Sequence, residues 1–144
     1  MYFSISVKDG IVYLPTMGKM DTGLYRGIEP VAVVPVTNSD ALRKALLDTM
    51  ARGNPAVPML KRREWPPPVV LKHARVKSWS AFERGMTLWG IEERDGIWRI
   101  IGKRKKADGM MVDDPEKIIG FPTGTSTEDV VDRMVAILQT AARK

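Results

Sequence analysis

Two clusters of carboxylates have types and spacing that could perform chemistry in this 144-residue chain. One lies within residues 92–95 and includes Glu92 and Asp95, and the other lies within residues 113–116. Paired carboxylates can hold a magnesium ion or transfer protons. Both clusters fall in predicted turns, where carboxylates are ordinarily solvated, so we interpret them as turn residues and predict no catalytic site.

The remaining catalytic and metal-binding classes are restricted by composition. The chain has no cysteine and one histidine, which excludes Cys-ligated zinc, iron–sulfur clusters, thiol nucleophiles and the two-His zinc helix. His73 stands between Lys72 and Ala74 in a predicted strand, with no base or nucleophile to partner it. We therefore predict a protein that is not an enzyme and uses no metal or cofactor.

Basic side chains form two clusters, which are Lys61-Arg62-Arg63 and Lys103-Arg104-Lys105-Lys106. Trp65 adjoins the first cluster, and Trp98 lies near the second. The chain carries a net charge of +6, and residues 61–84 alone contain seven basic and two acidic side chains. Basic residues beside aromatic ones can follow phosphates and stack bases. The alternative interpretation is a solvated linker and a solvated hairpin tip.

The aromatic residues allow two interpretations as well. Trp79, Phe82, Trp89 and Trp98 could form a stacking platform, but Trp89 and Trp98 alternate with polar residues on either side of a predicted turn, which favours packing in a core. Trp65 is flanked by Glu64 and three prolines, so it is either an exposed contact residue or a lid over the core.

Periodicity predicts the elements that position these residues. They are strands within 2–36, a capped helix at 39–52, a Pro-rich linker at 54–68, strands within 69–121 and a helix at 126–142. Arg143 and Lys144 would favour the C-terminal end of that helix electrostatically. We predict a single α+β domain with β-α-β-α order, in which two helices cover one or two antiparallel sheets.

No targeting or membrane segment is predicted. The first ten residues lack the apolar stretch of a signal peptide, and no run approaches the ~20 apolar residues that a membrane span needs. We therefore expect a cytoplasmic protein that makes no contact with a membrane.

Several stretches carry a family resemblance: GNPAVP (53–58), PPVVLK (67–72), VKSWSAFER (76–84), GIWRI (96–100) and FPTGTS (121–126). They resemble small immunity proteins from bacterial contact-dependent growth inhibition loci. The resemblance implies a non-enzymatic antitoxin that binds and neutralises the C-terminal toxin domain of its cognate effector. The toxins of these systems are often nucleases, commonly acting on tRNA. Some of these immunity proteins are similar to the Whirly single-stranded-DNA-binding fold, with which the predicted element order is compatible.

The charge leaves the nature of the interface open. An inhibitor that fills the basic groove of a nuclease is usually acidic, whereas this chain is basic. Either the acidic turns meet the toxin, or the basic surface meets an acidic face of the toxin. The alternative function is a nucleic-acid-binding module that uses residues 61–63 and 103–106. The predicted partner-binding residues are Arg62, Arg63, Trp65, Glu92, Asp95, Lys103 and Arg104.

Overall fold

Two Asp-Gly pairs turn the chain back on itself and create two of its hairpins. Asp9 and Gly10 have φ of 51° and 76°, and Asp95 and Gly96 have φ of 55° and 79°. Two consecutive positive φ values give the turn whose twist matches that of the flanking strands, and Asp-Gly adopts it readily. Asp-Gly between two apolar runs is also the sequence signal for such a turn, so both hairpins are recognisable from the sequence.

The structure, a computed structural model, describes residues 1–142. The strands are β1 (Tyr2–Lys8), β2 (Ile11–Lys19), β3 (Tyr25–Pro35), β4 (Thr87–Arg94), β5 (Ile97–Lys105) and β6 (Met111–Gly120). The helices are α1 (Ser39–Arg52), α2 (Val70–Ala74), α3 (Trp79–Glu83) and α4 (Thr127–Ala142), and a single 3-10 turn lies at Arg62–Glu64. Arg143 and Lys144 lie outside the described residues.

All six strands form one antiparallel sheet in the order β3-β2-β1-β4-β5-β6. Strands β1–β3 and β4–β6 are two consecutive meanders. They are joined at the centre of the sheet, where β1 pairs with β4 in a register that sets Tyr2 opposite Glu92 and Val7 opposite Thr87. The two halves of the chain therefore share one sheet and do not build separate layers.

The long helices α1 and α4 pack side by side on one face of this sheet. Their apolar stripes meet the strand residues that point to that face, and Ile5, Leu42, Ile91 and Met134 at the centre of this core are fully buried. The Asn38 side chain accepts the Ala41 N–H at 3.1 Å and so caps α1.

The short helices α2 and α3 cover part of the opposite face. Val70 and Leu71 of α2 and Phe82 of α3 pack on Tyr13 of β2 as a second, smaller apolar cluster. The Tyr13 and Phe82 rings meet edge to face, with their centroids 5.5 Å apart. The segment from residue 53 to residue 86 thus crosses from the α1 side to the far face of the sheet.

The predicted β-α-β-α order is wrong, and with it the arrangement on which the likeness to Whirly rested. The structure is a single α+β domain in which two additional helices stand between the meanders. Residues 70–74 and 79–83 are helical, within the range 69–121 where strands were predicted. Val69 and Val70 favour a strand locally, but in the helix Val70 and Leu71 are buried against Tyr13 and Phe82. Arg75, with φ of 58°, ends the helix in the left-handed conformation.

Among residues 1–142, no helix has the length and apolar character required to cross a membrane.

Candidate functional site

The segment that leads from α1 toward the far face of the sheet is held at its start by Asn54. The Asn54 amide donates to the carbonyl oxygens of Tyr2 (2.8 Å) and Met17 (2.9 Å), and its side-chain oxygen accepts the Tyr2 N–H at 2.9 Å. This side chain therefore joins the segment to β1 and β2 at once.

Two residues further on, the segment adds a short parallel bridge to the end of β2. Lys19 donates its N–H to Pro55 O at 2.8 Å, and Val57 donates its own to Lys19 O at 3.0 Å. Gly18 allows this approach, because a Cβ there would lie 2.5 Å from Val57 Cγ1. The start of the segment is thus fixed by backbone contacts.

Trp65 is positioned by the 3-10 turn before it and the three prolines after it. The Glu64 carboxylate accepts the Lys61 N–H at 3.0 Å, which closes the turn. The Trp65 indole N–H donates to Leu60 O at 3.0 Å. Pro66, Pro67 and Pro68 restrict φ in the residues that follow, so the indole is presented on a stiff stretch of chain.

Trp65 lies at a cleft of about 250 Å³ on the face of the sheet opposite α1 and α4, which we call the aromatic cleft. Its walls and floor include Met17, Arg26, Trp65, Pro67, Trp79 and Leu88. Trp65 is 45% exposed and Trp79 is 38% exposed. The Trp79 indole N–H donates to Glu83 Oε2 at 2.8 Å. Both indole N–H groups are therefore satisfied within the chain, and the tryptophans offer mainly hydrocarbon surface to a partner.

Arg26 brings a positive charge to this cleft. Its Nε is buried and has no hydrogen-bond partner among residues 1–142, and its guanidinium forms no ion pair there. A partly buried cation without a counter-charge costs free energy, which a carboxylate from outside would recover. Arg62 and Arg63 are exposed on the neighbouring 3-10 turn and likewise have no ion-pair partner within the described chain.

The second basic cluster has a different character, because most of its charges are neutralised. Lys103 pairs with Asp113, Lys105 with Glu83 at 2.6 Å, and Lys106 with Asp108 at 3.6 Å. The hydrogen bond from Lys105 is the main cause of a lowered pKa for Glu83, and the bond from the Trp79 indole adds to it. Arg104 is exposed at the edge of a second cleft of about 440 Å³ and pairs with no carboxylate of residues 1–142.

Some carboxylates of the acidic clusters are occupied by internal contacts, whereas Asp95 and Glu116 form no ion pair among residues 1–142. Glu92 accepts from Arg99 Nε at 2.7 Å, and the Glu93 carboxylate accepts the Gly96 N–H at 3.3 Å. Residues 113–116 lie inside β6, so the turn predicted for them is wrong. Asp113 is paired with Lys103 on the adjacent strand. In the described part of the chain, no three side chains of the metal-binding types come together.

His73 differs from the prediction in both structure and partner. It lies in α2 instead of a strand, and its Nε2 is 2.8 Å from the Glu29 carboxylate on β3. Lys72 Nζ contacts the same carboxylate oxygen at 2.7 Å. The hydrogen bonds from Lys72 and then His73 lower the pKa of Glu29 to about 2. This exposed contact fastens α2 to β3, and we assign it a structural role.

The predicted partner-binding residues are thus dispersed. Arg62, Arg63 and Trp65 share one segment beside the aromatic cleft. Glu92 and Lys103 lie around Tyr2, since Glu92 is its partner in register and Lys103 Nζ is 5.7 Å from its ring centroid. Asp95 is exposed in the β4–β5 turn, and Arg104 belongs to the second cleft.

Sequence reasoning missed two residues of the aromatic cleft. The sequence favours a core position for Trp79, together with Phe82, Trp89 and Trp98. Phe82 and Trp98 are buried, whereas Trp79 is exposed. The polar neighbours of Trp79 in the sequence VKSWSAFER were the available signal. Arg26 gave no signal, because only the fold brings β3 beside residues 65–79.

The fold just described is an α+β domain with one six-stranded antiparallel sheet and an aromatic cleft on the face opposite its long helices. It is similar to the solved structure of a protein of unknown function, NMB0488, from Neisseria meningitidis. The TM-score is 0.64 at 12% sequence identity, over 96% of this chain and 93% of that one, which establishes a shared fold. No protein-family model matches the sequence, and no curated protein matches it significantly.

Proposed function

We propose that this chain is an immunity protein that binds and neutralises the C-terminal toxin domain of a contact-dependent growth inhibition effector. One observation carries the proposal. Residues 53–84, which carry most of the resemblance to such immunity proteins, include those that form one wall of the aromatic cleft. Trp65 and Trp79 expose apolar surface there on stiff or helical backbone, which suits a protein partner. A cognate partner would bury both indoles.

The toxin that we propose is a nuclease directed at tRNA, and the protein acts in the cytoplasm, where such a toxin would reach its substrate. This part of the proposal rests on the resemblance alone. Inhibition would then follow from complex formation and would need no catalytic group on this chain.

Co-expression tests the proposed function. Cells that produce the toxin domain encoded next to this gene should grow when they also produce this chain, and the two proteins should copurify. A toxin domain with an unrelated sequence, taken from another growth inhibition locus, is the matched control and should remain lethal. Continued lethality of the neighbouring toxin, together with the absence of a complex, would refute the proposal.

The nucleic-acid alternative draws on the same basic residues, but it is less well supported. Three of the four cations in residues 103–106 already contact carboxylates, so phosphates would have to displace Asp113, Glu83 and Asp108. The alternative predicts binding of single-stranded DNA or RNA that weakens steeply with salt and on neutralisation of residues 103–106. Such binding, in the absence of a toxin complex, would favour the alternative.

A further inference from the structure

The ion pairs of the chain show which of its charged side chains already have a partner and which do not. Glu92, Asp113 and Glu83 each contact a cation of the chain itself, so they have little unpaired charge to offer. Asp95, Asp114 and Glu116 form no ion pair among residues 1–142, but none of them lines the aromatic cleft. Arg26, Arg62 and Arg63 have no counter-charge among residues 1–142, and all three lie at or next to the aromatic cleft. The unsatisfied charge of this region is therefore positive.

The aromatic cleft itself is suited to an apolar side chain. Its volume of about 250 Å³ is of the size that one large side chain occupies, and its surroundings include Met17, Pro67 and Leu88. The indole N–H groups of Trp65 and Trp79 are already used by Leu60 O and Glu83. The lining of the cleft also contains the hydroxyl groups of Ser4 and Ser6 and the charge of Arg26, which forms no ion pair among residues 1–142.

We propose that the toxin domain docks with an acidic segment that inserts an apolar side chain between Trp65 and Trp79 and places a carboxylate on Arg26. The inference rests on the proposed function and specifies the partner surface. It resolves the charge question in favour of a basic surface that meets an acidic face of the toxin. A carboxylate would form a charge-assisted hydrogen bond with the accessible part of the half-buried Arg26 guanidinium, and the exposed Arg62 and Arg63 would attract the segment during association.

A protein segment suits this cleft better than a nucleobase. Its surroundings are rich in aliphatic and proline side chains, and their shape is concave instead of a flat stacking platform. Bases bound by stacking prefer a planar surface with cations spaced along the backbone path.

Binding of the purified toxin domain to the full chain tests the inference. Trp65→Ala and Trp79→Ala should each raise Kd by at least about 30-fold, as expected for a central aromatic anchor. Met110→Ala is the apolar control, because Met110 is 63% exposed in the β5–β6 turn, and its Kd should stay within about twofold of wild type. Arg26→Gln should speed dissociation, because it removes the counter-charge of the inserted carboxylate.

The charge of the partner is tested by association rates at low and high salt. The double variant Arg62→Gln/Arg63→Gln should associate several-fold more slowly than wild type in 50 mM salt, and at most about tenfold more slowly. This difference in rate should shrink in high salt. Arg133→Gln on the exposed side of α4 is the matched control and should leave the rate unchanged.

Each outcome separates the two proposals. If wild type binds the toxin but the tryptophan variants bind equally well, or if the arginine variants associate faster, the inference is wrong and the proposed function stands. If wild type does not bind the toxin, the proposed function is wrong. If labelled single-stranded RNA binds and Trp65→Ala abolishes that binding, the cleft is a base-stacking site and the inference is also wrong. A second copy of this chain could occupy the cleft instead, and it would appear as a dimer that forms without toxin at high protein concentration. If Trp65→Ala abolished that dimer, the inference would be wrong.

Discussion

Asn54 provides the sharpest test of how the segment bearing the aromatic cleft is held in place. Its side chain makes three part-buried hydrogen bonds, which connect residue 54 to the backbone of Tyr2 and Met17. In Asn54→Ala, the Tyr2 N–H and two carbonyl oxygens lose their partner. Each hydrogen bond is worth ~1 kcal/mol net, and more where the remaining group stays buried, so we expect a loss of about 3 kcal/mol in the free energy of unfolding. For a chain of this length that corresponds to roughly 10 °C in Tm.

Urea unfolding, with the slope m compared between variants, measures this loss. Asn38→Ala is the matched control: it removes one helix-capping bond to the Ala41 N–H and should cost ~1 kcal/mol. Asn54→Asp should be at least as harmful as Asn54→Ala, because a carboxylate can still accept from Tyr2 but repels both carbonyl oxygens. A loss of unfolding free energy in Asn54→Ala no larger than that in Asn38→Ala would contradict the role assigned to the Asn54 side chain.

Two further predictions concern the helices of the far face. The pKa of Glu29 is about 2 in the folded chain, below its usual 4.5, so its contacts with Lys72 and His73 stabilise the fold above pH 4.5 and are lost as the pH falls toward 2. The difference in unfolding free energy between wild type and Glu29→Gln should therefore shrink over that range, and a constant difference would contradict the assignment. Phe82→Ala should lower the unfolding free energy by about 3–4 kcal/mol, since the ring is fully buried against Tyr13; a loss below ~1 kcal/mol in chemical denaturation would exclude that packing.

Local signals explain why part of the fold is predictable from the sequence. The Asp9-Gly10 and Asp95-Gly96 turns need positive φ, and the residue types suited to it are visible in the sequence. The helix α1 occupies the range predicted for the first helix, where the sequence offers Asn38 or Ser39 as the cap and the apolar residues recur at helical spacing; the structure shows Asn38 in that role. The pairing of β1 with β4 joins residues 80 to 90 positions apart, from Val7 with Thr87 to Tyr2 with Glu92, and no local pattern specifies it.

The candidate site was only partly predictable for the same reason. The prolines and charges around Trp65 indicate an unusual, exposed position. Its neighbours in the cleft come from strands β1 to β4 and from α2 and α3, so their convergence depends on tertiary structure. The range of α2 was predicted as a strand because Val69 and Val70 favour one, and burial against Tyr13 overrides that preference.

Hydrogen exchange of this chain with and without the neighbouring toxin domain tests the central claim most directly. The account predicts a stable complex in which amide protons at residues 61–71 and 79–83 exchange more slowly, while those on the exposed side of α4 are unaffected. A complex that protects α4 and leaves residues 61–83 unchanged would contradict the assigned surface, and the absence of any complex would contradict the proposed function.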